Sequence, residues 1–348
     1  MKQTDIRKIL IMRFSAMGDV AMTVPVITQL ARQFPWLRIT VLTRSKFTPI
    51  FEWVPSNVEV RGINLADYKG LTGLTRLYSL LKEKDFDAVA DLHDVLRTKY
   101  LRTLFRMAGK EVAVIDKGRK QKRAILGHGM TGEHLKPMFE RYADVFRRLD
   151  FNLTLTTETP LFDLSQEDYI PIHAFTGKRV TGEKWIGIAP FAAHDMKVYP
   201  LDHTHMVADM LLEKGYKVFL FGAGKEESEE LATWQCDNMR SVCGSLGGLH
   251  GELLLISQLD LMISMDSANM HLAAMLQVPT LSLWGATHPA AGFTAWGQTE
   301  QNILQIQTLP CRPCSIYGNK PCHLADHRCM TRITPEMIVQ RAEEILGS

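Results

Sequence analysis

The sequence lacks any run of about 18 uninterrupted apolar residues, so it predicts no membrane-spanning helix. It also lacks a strong excess of one charge. The net charge is +2, from 40 Lys and Arg against 38 Asp and Glu, which argues against a broad nucleic-acid-binding surface. Repeats at solenoid spacing and low-complexity segments are missing as well. An anionic ligand would therefore have to be bound by a local cluster of residues.

An export signal and a large cysteine content are absent too. The N-terminal segment is basic and briefly apolar, but Arg13 interrupts the apolar run before a signal-peptide h-region is complete. Six cysteines in 348 residues, without such a signal, are typical of a protein with reduced thiols. We therefore expect a cytoplasmic location. Because 46% of the residues are hydrophobic, the chain can bury a sizeable core, and its length favours two domains.

Short apolar, β-branched runs alternate with stretches at helical spacing, which is typical of βαβ units on a parallel sheet. The predicted strands are residues 8–14, 38–44, 58–63, 86–92 and 111–116 in the first half, and 184–190, 216–222, 259–264 and 279–284 in the second. Helices are predicted near 20–33, 71–83 and 96–107, with a last helix capped by Thr334. The segment 153–182 has no sustained periodicity and predicts a linker or an irregular crossing. The pattern indicates an α/β protein with two Rossmann-like halves.

The turn RFSAMGDV, residues 13–20, follows the first predicted strand. Ligands of open α/β sheets bind beyond the carboxyl ends of the strands, so this turn is a candidate site. Asp19 has two interpretations. It could cap the following helix, which contributes about 1 kcal/mol, or it could be a general base that takes a proton from a hydroxyl group. The residues alone leave both open.

A second candidate lies in ISMDSANMHLAAMLQVPTLSLWGATHP, residues 263–289. A strand ends at Ser264, and Asp266 and Ser267 open a helix. These two side chains could simply cap the helix, or its N-terminal N–H groups could bind a phosphate or diphosphate. His271 falls four residues after Ser267, on the same side of the helix. It could be a packing residue or a ligand contact.

Three other stretches carry candidate chemistry. The glycine turn FGAGKEESEE, residues 221–230, lacks the full G-x-G-x-x-G and is a poor indication of a dinucleotide site. The run KGRKQKR, residues 117–123, is either a solvated loop or a binding surface for an acidic ligand or an anionic membrane. The cysteines at 311, 314, 322 and 329 invite a zinc interpretation, but the spacing of the last two differs from that of a zinc ribbon. We expect no metal site.

Six motifs resemble those of glycosyltransferase family 9, the lipopolysaccharide heptosyltransferases, and occur in the same order: RFSAMGDV, DLHDVLRT, KGR, MKVYP, SMDSANMHLAA and WGATHP. The resemblance covers most of the chain and implies a GT-B fold, with two Rossmann-like domains facing across a cleft. The implied domains are an N-terminal acceptor domain over 1–165, a nucleotide-sugar donor domain over 183–330 and a C-terminal helix over 331–348.

The resemblance also implies a reaction. Heptose from ADP-L-glycero-D-manno-heptose would pass, with inversion, to a lipopolysaccharide core acceptor of the Kdo-lipid A type, without a cofactor or an obligatory metal. The implied partners are a nucleotide-sugar donor and a lipid-linked acidic saccharide, met at the cytoplasmic face of the inner membrane, and no nucleic acid. Two alternatives stay open: a transferase of the same fold with another nucleotide sugar, and a non-catalytic nucleotide-sugar-binding paralogue.

Site residues follow from the resemblance position by position. The implied base is Asp19, and the implied partner of the leaving diphosphate is Lys197. Donor-binding candidates are Lys197, Glu226, Glu227, Asp266, Ser267, Ala268 and His271. Acceptor-binding candidates are Ser15, Gly18, Arg97, Lys117, Arg119 and Arg123. The chain departs from the family where Ser267 and Ala268 replace Thr and Gly, and where Ala192 and Ala193 replace hydroxyl residues. These departures bear on the identity of the sugar and the nucleotide.

Overall fold

The computed structural model of the protein describes residues 5–126 and 134–347. Internal contacts group them into two units. The first comprises the described residues within Met1–Lys117 and Met138–Phe162, and the second those within Gly118–Pro137 and Asp163–Ser348. Part of the predicted acceptor domain, including the basic residues Arg119 and Arg123, is therefore grouped with the second unit. Residues 1–4, 127–133 and 348, which the predicted domains also include, lie outside the described residues.

Each unit is built on one parallel sheet. The first has five strands in the order β3-β2-β1-β4-β5, and the second has six in the order β11-β10-β9-β6-β7-β8. The strands are β1 (Lys8–Met12), β2 (Arg38–Arg44), β3 (Val58–Ile63), β4 (Ala88–Asp91), β5 (Glu111–Val114), β6 (Trp185–Ala189), β7 (Lys217–Leu220), β8 (Met239–Ser241), β9 (Leu261–Met265), β10 (Thr280–Trp284) and β11 (Ile303–Gln305). Central strands such as β6 are buried along their whole length, because helices cover both faces of a parallel sheet. The α/β prediction is confirmed.

The helices connect these strands. They are α1 (Met17–Ala21), α2 (Thr23–Gln33), α3 (Gly70–Lys82), α4 (Leu96–Met107), α5 (Arg119–Ala124), α6 (Met138–Arg147), α7 (Ile170–Thr176), α8 (Leu201–Glu213), α9 (Gly224–Ala232), α10 (Leu249–Ser257), α11 (Ala268–Met275), α12 (Arg328–Thr331) and α13 (Pro335–Leu346). Short 3₁₀ turns occupy Ser45–Phe51, Leu65–Tyr68, Gln166–Tyr169, Asp195–Lys197, Pro289–Ala291 and Glu300–Asn302. Among the described residues, every helix is too short or too polar to span a membrane.

Sequence periodicity located nine of the eleven strands in the described residues, but it did not indicate the helices α5, α6 and α12. The helix predicted over 20–33 is two helices, α1 and α2, because Pro25 has no N–H to continue the first and suits the first turn of the second. The strands β8 and β11 escaped prediction, since three residues are too short for a period-2 signal. The predicted irregular segment 153–182 contains α7, whose start is marked by a proline in its first turn.

The last helix, α13, begins as predicted. The Thr334 side chain accepts a hydrogen bond from the N–H of Met337, and Pro335 occupies the first turn. Ile338 and Ala342 are fully buried in the core of the second unit. The helix therefore docks on the second sheet, where Tyr199 Oη donates to the carbonyl of Ile333 at 2.7 Å.

Both sheets contain a point where the strand order reverses. In the first it lies between β1 and β4, and in the second between β6 and β9. Loops that leave the carboxyl ends of such strand pairs form the usual ligand site of an open α/β sheet. The chain thus has two candidate sites, one in each unit, and the predicted residues Asp19 and Lys197 follow β1 and β6.

Candidate functional site

Asp19 in the first unit forms an ion pair that the sequence did not reveal. Its Oδ2 atom lies 2.6 Å from Nη2 of Arg13, the residue that follows β1. The Arg13 side chain is only 4% exposed, whereas Asp19 is 27% exposed. Arg13 Nη1 also donates to the carbonyl of Leu92, after β4, at 2.6 Å. One buried guanidinium therefore joins both loops of the strand-order reversal and leaves part of the carboxylate open to solvent.

Two further hydrogen bonds involve Asp19. Its Oδ2 accepts from the N–H of Ala16 at 3.2 Å, and Tyr142 Oη donates to its carbonyl at 3.4 Å. Burial alone would lower the pKa of Arg13, but Tyr142 and Asp19 raise it above its ordinary value. The carboxylate thus has both a capping contact at the start of α1 and a charged partner.

His93 lies in the loop after β4 and is also buried. The N–H of Phe14 points at its Nδ1 at 3.5 Å, and its Nε2 lies 3.3 Å from Ser15 Oγ. Because a backbone N–H can only donate, Nδ1 is the acceptor and Nε2 carries the proton that reaches Ser15. Burial, followed by Arg13, Lys117 and Arg97, lowers the pKa of His93 to about 3. The ring is therefore neutral near pH 7.

A buried carboxylate at the end of β4 fixes the loop that carries His93. Asp91, at the end of β4, is completely buried, and its Oδ1 accepts from the N–H groups of His93 and Asp94 at 2.9 and 2.8 Å. Its Oδ2 lies 2.7 Å from Nη1 of Arg102 in α4. A buried carboxylate that is fully engaged in this way holds the loop in one conformation.

The acceptor-binding candidates divide between the units. Ser15 contacts His93, Gly18 lies in α1 next to Asp19, and Arg97 and Lys117 act electrostatically on His93. Arg119 and Arg123 are exposed on α5, which is grouped with the second unit. The basic run is not a uniformly solvated loop, since Lys122 is 3% exposed and its Nζ lies 3.9 Å from the centre of the Phe293 ring.

Lys197 and Asp266 meet at the reversal point of the second sheet. Lys197 Nζ lies 2.8 Å from Asp266 Oδ2 and donates to the Asp266 carbonyl at 3.1 Å. The same Oδ2 accepts from Thr287 Oγ1, after β10, at 2.8 Å. Both ionic side chains are largely buried, at 15% and 6% exposure. This arrangement places one cation beside the N-terminus of α11.

In the part of the chain that the structure describes, the Ser267 side chain forms no capping hydrogen bond at the start of α11. Asp266 faces Lys197 and Thr287, and the Ser267 hydroxyl pairs with Ser264 Oγ at 3.0 Å. Of the two interpretations of this turn, helix capping therefore receives no support from the described contacts of Ser267. Ala268 is the first residue of the helix and partly exposed, and His271 is buried one turn later. The first N–H groups of α11 and the Lys197 ammonium together suit an anion.

The two glutamates after β7 differ in their surroundings. Glu227 accepts from the N–H of Ala223 at 2.7 Å and so closes the first turn of α9. Glu226 is exposed beside it. Either side chain lies beyond the carboxyl end of β7, next to β6 in the sheet.

The four cysteines at 311, 314, 322 and 329 are thiols. Among the residues that the structure describes, no group of three or more His, Cys, Asp or Glu side chains is placed to hold a metal ion.

Sequence reasoning missed Arg13, His93 and Thr287 as site residues. Arg13 was noted only because its charge interrupts an apolar run. A charged residue directly after a buried strand was the one signal that could have indicated a site residue. His93 and Thr287 lie within the quoted motifs DLHDVLRT and WGATHP, but their partners are distant in sequence: 78 residues separate His93 from Ser15.

Comparisons with known proteins identify the family to which the chain is similar. The family model for glycosyltransferase family 9 (heptosyltransferase) matches residues 74–321. Lipopolysaccharide heptosyltransferase 1 of Pseudomonas aeruginosa is 25% identical over 97% of this chain and 98% of its own length. Lipooligosaccharide heptosyltransferase 2 of Haemophilus ducreyi is 25% identical over 98% of this chain and 99% of its own.

Solved structures show the same architecture. ADP-heptose lps heptosyltransferase II of E. coli superposes with a TM-score of 0.71 at 21% identity, over 97% of this chain and 98% of that one. An E. coli heptosyltransferase solved with ADP-2-deoxy-2-fluoro heptose gives a TM-score of 0.65 at 18% identity, over 97% and 99% of the two chains. At these identities the likeness establishes the fold, which is GT-B.

Proposed function

This chain belongs to glycosyltransferase family 9 and is a glycosyltransferase, and from that premise we propose that it transfers heptose in the assembly of a lipopolysaccharide core. The donor we propose is ADP-L-glycero-D-manno-heptose, and the acceptor is a lipid-linked acidic saccharide of the Kdo-lipid A type. Full-length similarity to heptosyltransferases 1 and 2 supports the sugar and the acceptor class. A lipid-linked acceptor would bring the enzyme to the cytoplasmic face of the inner membrane.

The proposed reaction is a single displacement with inversion. The oxygen of an acceptor hydroxyl attacks the anomeric carbon of heptose, while the bond from that carbon to the diphosphate oxygen breaks. The hydroxyl proton passes to Asp19, and ADP leaves with the bonding electron pair. Asp19 suits this role because part of its carboxylate is exposed to an incoming hydroxyl group, while the buried Arg13 guanidinium, at 2.6 Å, holds that carboxylate in place.

The departing diphosphate gains negative charge, which needs positive partners already in position. Lys197 and the N-terminus of α11 supply them in our proposal. The observation that carries this assignment is the Lys197 Nζ contact with Asp266 at 2.8 Å, beside the first turn of α11. Because Thr287 also binds the Asp266 carboxylate, that carboxylate keeps a second partner when the Lys197 ammonium is shared between it and a diphosphate.

Three cations of the first unit act on His93, and Asp19 opposes them. Arg13, Lys117 and Arg97 each act on His93 electrostatically, although the net charge of the whole chain is only +2. Such a cluster suits a phosphorylated or carboxylated saccharide. Glu226 or Glu227 is the proposed partner of the donor ribose hydroxyls.

Transfer to a defined acceptor tests the proposal. Purified protein would be incubated with ADP-heptose and a Kdo-lipid A acceptor, and mass spectrometry would detect the gain of one heptose. Lys197→Ala should raise the donor KM or weaken ADP binding tenfold or more, about 1.4 kcal/mol. Lys82→Ala is the matched control, since Lys82 is exposed in the last turn of α3, in the first unit. Turnover of another nucleotide sugar but not ADP-heptose would overturn the donor assignment.

A further inference from the structure

The segment 311–329, which we call the Cys-rich segment, has no role in the proposed reaction. It nevertheless holds the loop after β10. The N–H groups of Cys314 and Ser315 donate to the carbonyl of Ala286 at 3.1 and 3.2 Å. The Arg312 guanidinium, which is 2% exposed, donates to the carbonyls of Gly285 and Thr287 at 2.5 and 2.9 Å. The loop that presents Thr287 to Asp266 is therefore fixed by this segment.

The same segment holds the backbone next to Lys197. The carbonyl of Met196 accepts from the N–H of Ala286 at 3.3 Å, and His327 Nε2 lies 3.2 Å from it. Since a carbonyl oxygen can only accept, His327 Nε2 is the donor in this contact. The turn that carries Lys197 is thus hydrogen-bonded both to the loop after β10 and to the Cys-rich segment.

Gly318 of the Cys-rich segment packs on the Lys197 side chain itself. Its φ angle is +76°, and a Cβ atom built there would lie 2.6 Å from Lys197 Cγ, 3.0 Å from Cε and 3.2 Å from Cδ. Ser315 Oγ accepts from the N–H of Gly318 at 2.9 Å and fixes the turn. The glycine backbone therefore fills the space beside the lysine stem, and any side chain would push the stem away.

We propose that Gly318 is a positioning residue that holds Lys197 ready for the donor diphosphate. The inference rests on the proposed function of Lys197. A lysine side chain has a flexible four-carbon stem. Its ammonium binds an anion more tightly when few rotamers of the stem are accessible before binding. Here Gly318 restricts the stem, and Asp266 receives the ammonium at 2.8 Å. The Cys-rich segment would in this way serve donor binding without touching the donor.

A pair of glycine substitutions isolates this effect. Gly318→Ala places a methyl group against Lys197 at a positive φ. Gly215→Ala has the same backbone strain, at φ +83°, but nothing lies within 4 Å of its added Cβ. Gly215 precedes β7, at the end of the sheet away from the ligand loops. With ADP as the probe in calorimetry, we expect Gly318→Ala to weaken binding about fivefold or more and Gly215→Ala to change it less than about twofold.

Combination with Lys197→Ala tests the route of the effect. Lys197→Ala removes Cγ, Cδ and Cε, which are the atoms that the new methyl group would crowd. Gly318→Ala should therefore weaken ADP binding in the wild-type background and leave it nearly unchanged in the Lys197→Ala background. If Gly318→Ala weakens ADP binding by the same factor in both backgrounds, the inference is wrong. It is also wrong if the Gly318→Ala and Gly215→Ala proteins bind ADP equally well. Either result would leave the proposed donor site standing. If Lys197→Ala itself leaves ADP affinity unchanged, both the inference and the proposed donor site are wrong.

Discussion

Arg13 Nη2 and Asp19 Oδ2 lie 2.6 Å apart, and the arginine of this pair is almost completely buried. A carboxylate that only capped α1 would have no need of such a partner. The pair changes what a substitution at Asp19 should do. Asp19 is the third residue of α1 and not its N-cap; if it only accepted from the N–H of Ala16, it could become Asn at a cost within about 0.5 kcal/mol, because the amide oxygen can accept the same bond. Removing the charge beside buried Arg13 should cost more.

Replacement of the guanidinium by an ammonium tests the pair from the other side. A lysine at position 13 cannot reach both Asp19 and the carbonyl of Leu92, which Arg13 contacts at 2.6 Å each. Arg13→Lys should therefore destabilise the fold by about 1.5–3 kcal/mol, the range for a lost charged hydrogen bond, and slow transfer while ADP affinity is unchanged. Thermal denaturation and transfer assays measure the two effects. Arg106→Lys, on the exposed side of α4, is the control, and an equal loss in both variants would contradict the prediction.

The buried His93 ring predicts a specific dependence of stability on pH. Its pKa falls from 6.5 to about 3 on folding, so the unfolded chain binds more protons between these values. The contribution of the neutral His93 ring to the free energy of unfolding is complete above pH 6.5 and is lost as the pH falls towards 3. Between pH 7 and pH 5 this group alone should cost the wild type about 2 kcal/mol, from about 1.36 kcal/mol per pH unit.

His93→Gln removes the titration and should flatten this pH dependence. The measurement is the thermal midpoint at pH 7 and pH 5, with His173→Gln as the control because His173 is exposed on α7. The drop in the midpoint should shrink for His93→Gln and stay as in the wild type for His173→Gln. Identical drops in all three proteins would mean that His93 is not a buried neutral residue.

The cationic residues of the first unit should control acceptor affinity. Arg97 and Lys117 both act electrostatically on His93, close to Asp19. Replacing both with Gln should raise the acceptor KM about tenfold and flatten its salt dependence, with the donor KM unchanged, because salt screens exposed charge pairs.

Arg119→Gln combined with Arg123→Gln gives the matched comparison on α5. We expect a smaller rise in acceptor KM, since the cations that lower the pKa of His93 are Arg13, Lys117 and Arg97. A larger rise would place the acceptor nearer α5 than our account does, and a parallel rise in donor KM would indicate misfolding.

The sequence was sufficient for the parallel sheets, because β-branched runs and helical spacing are local signals. It also singled out Asp19, Lys197 and Asp266 individually as candidates. It could not show that Lys197 contacts Asp266, which is 69 residues away, since that contact depends on β6 and β9 becoming neighbours in the sheet. Nor could it distinguish Gly318 from other loop glycines, because both its φ angle and its approach to Lys197 exist only in the folded chain.

The most direct test of the account is the single-turnover rate of heptose transfer by Asp19→Asn, measured at saturating donor together with ADP affinity. The amide cannot accept the acceptor's proton, so we predict a fall in rate of at least about 10², with ADP bound as tightly as by the wild type. Thermal denaturation of the same protein establishes that it is folded at the assay temperature despite the lost ion pair. A folded Asp19→Asn enzyme that transfers heptose at nearly the wild-type rate would contradict the account and leave Asp19 as a structural partner of Arg13.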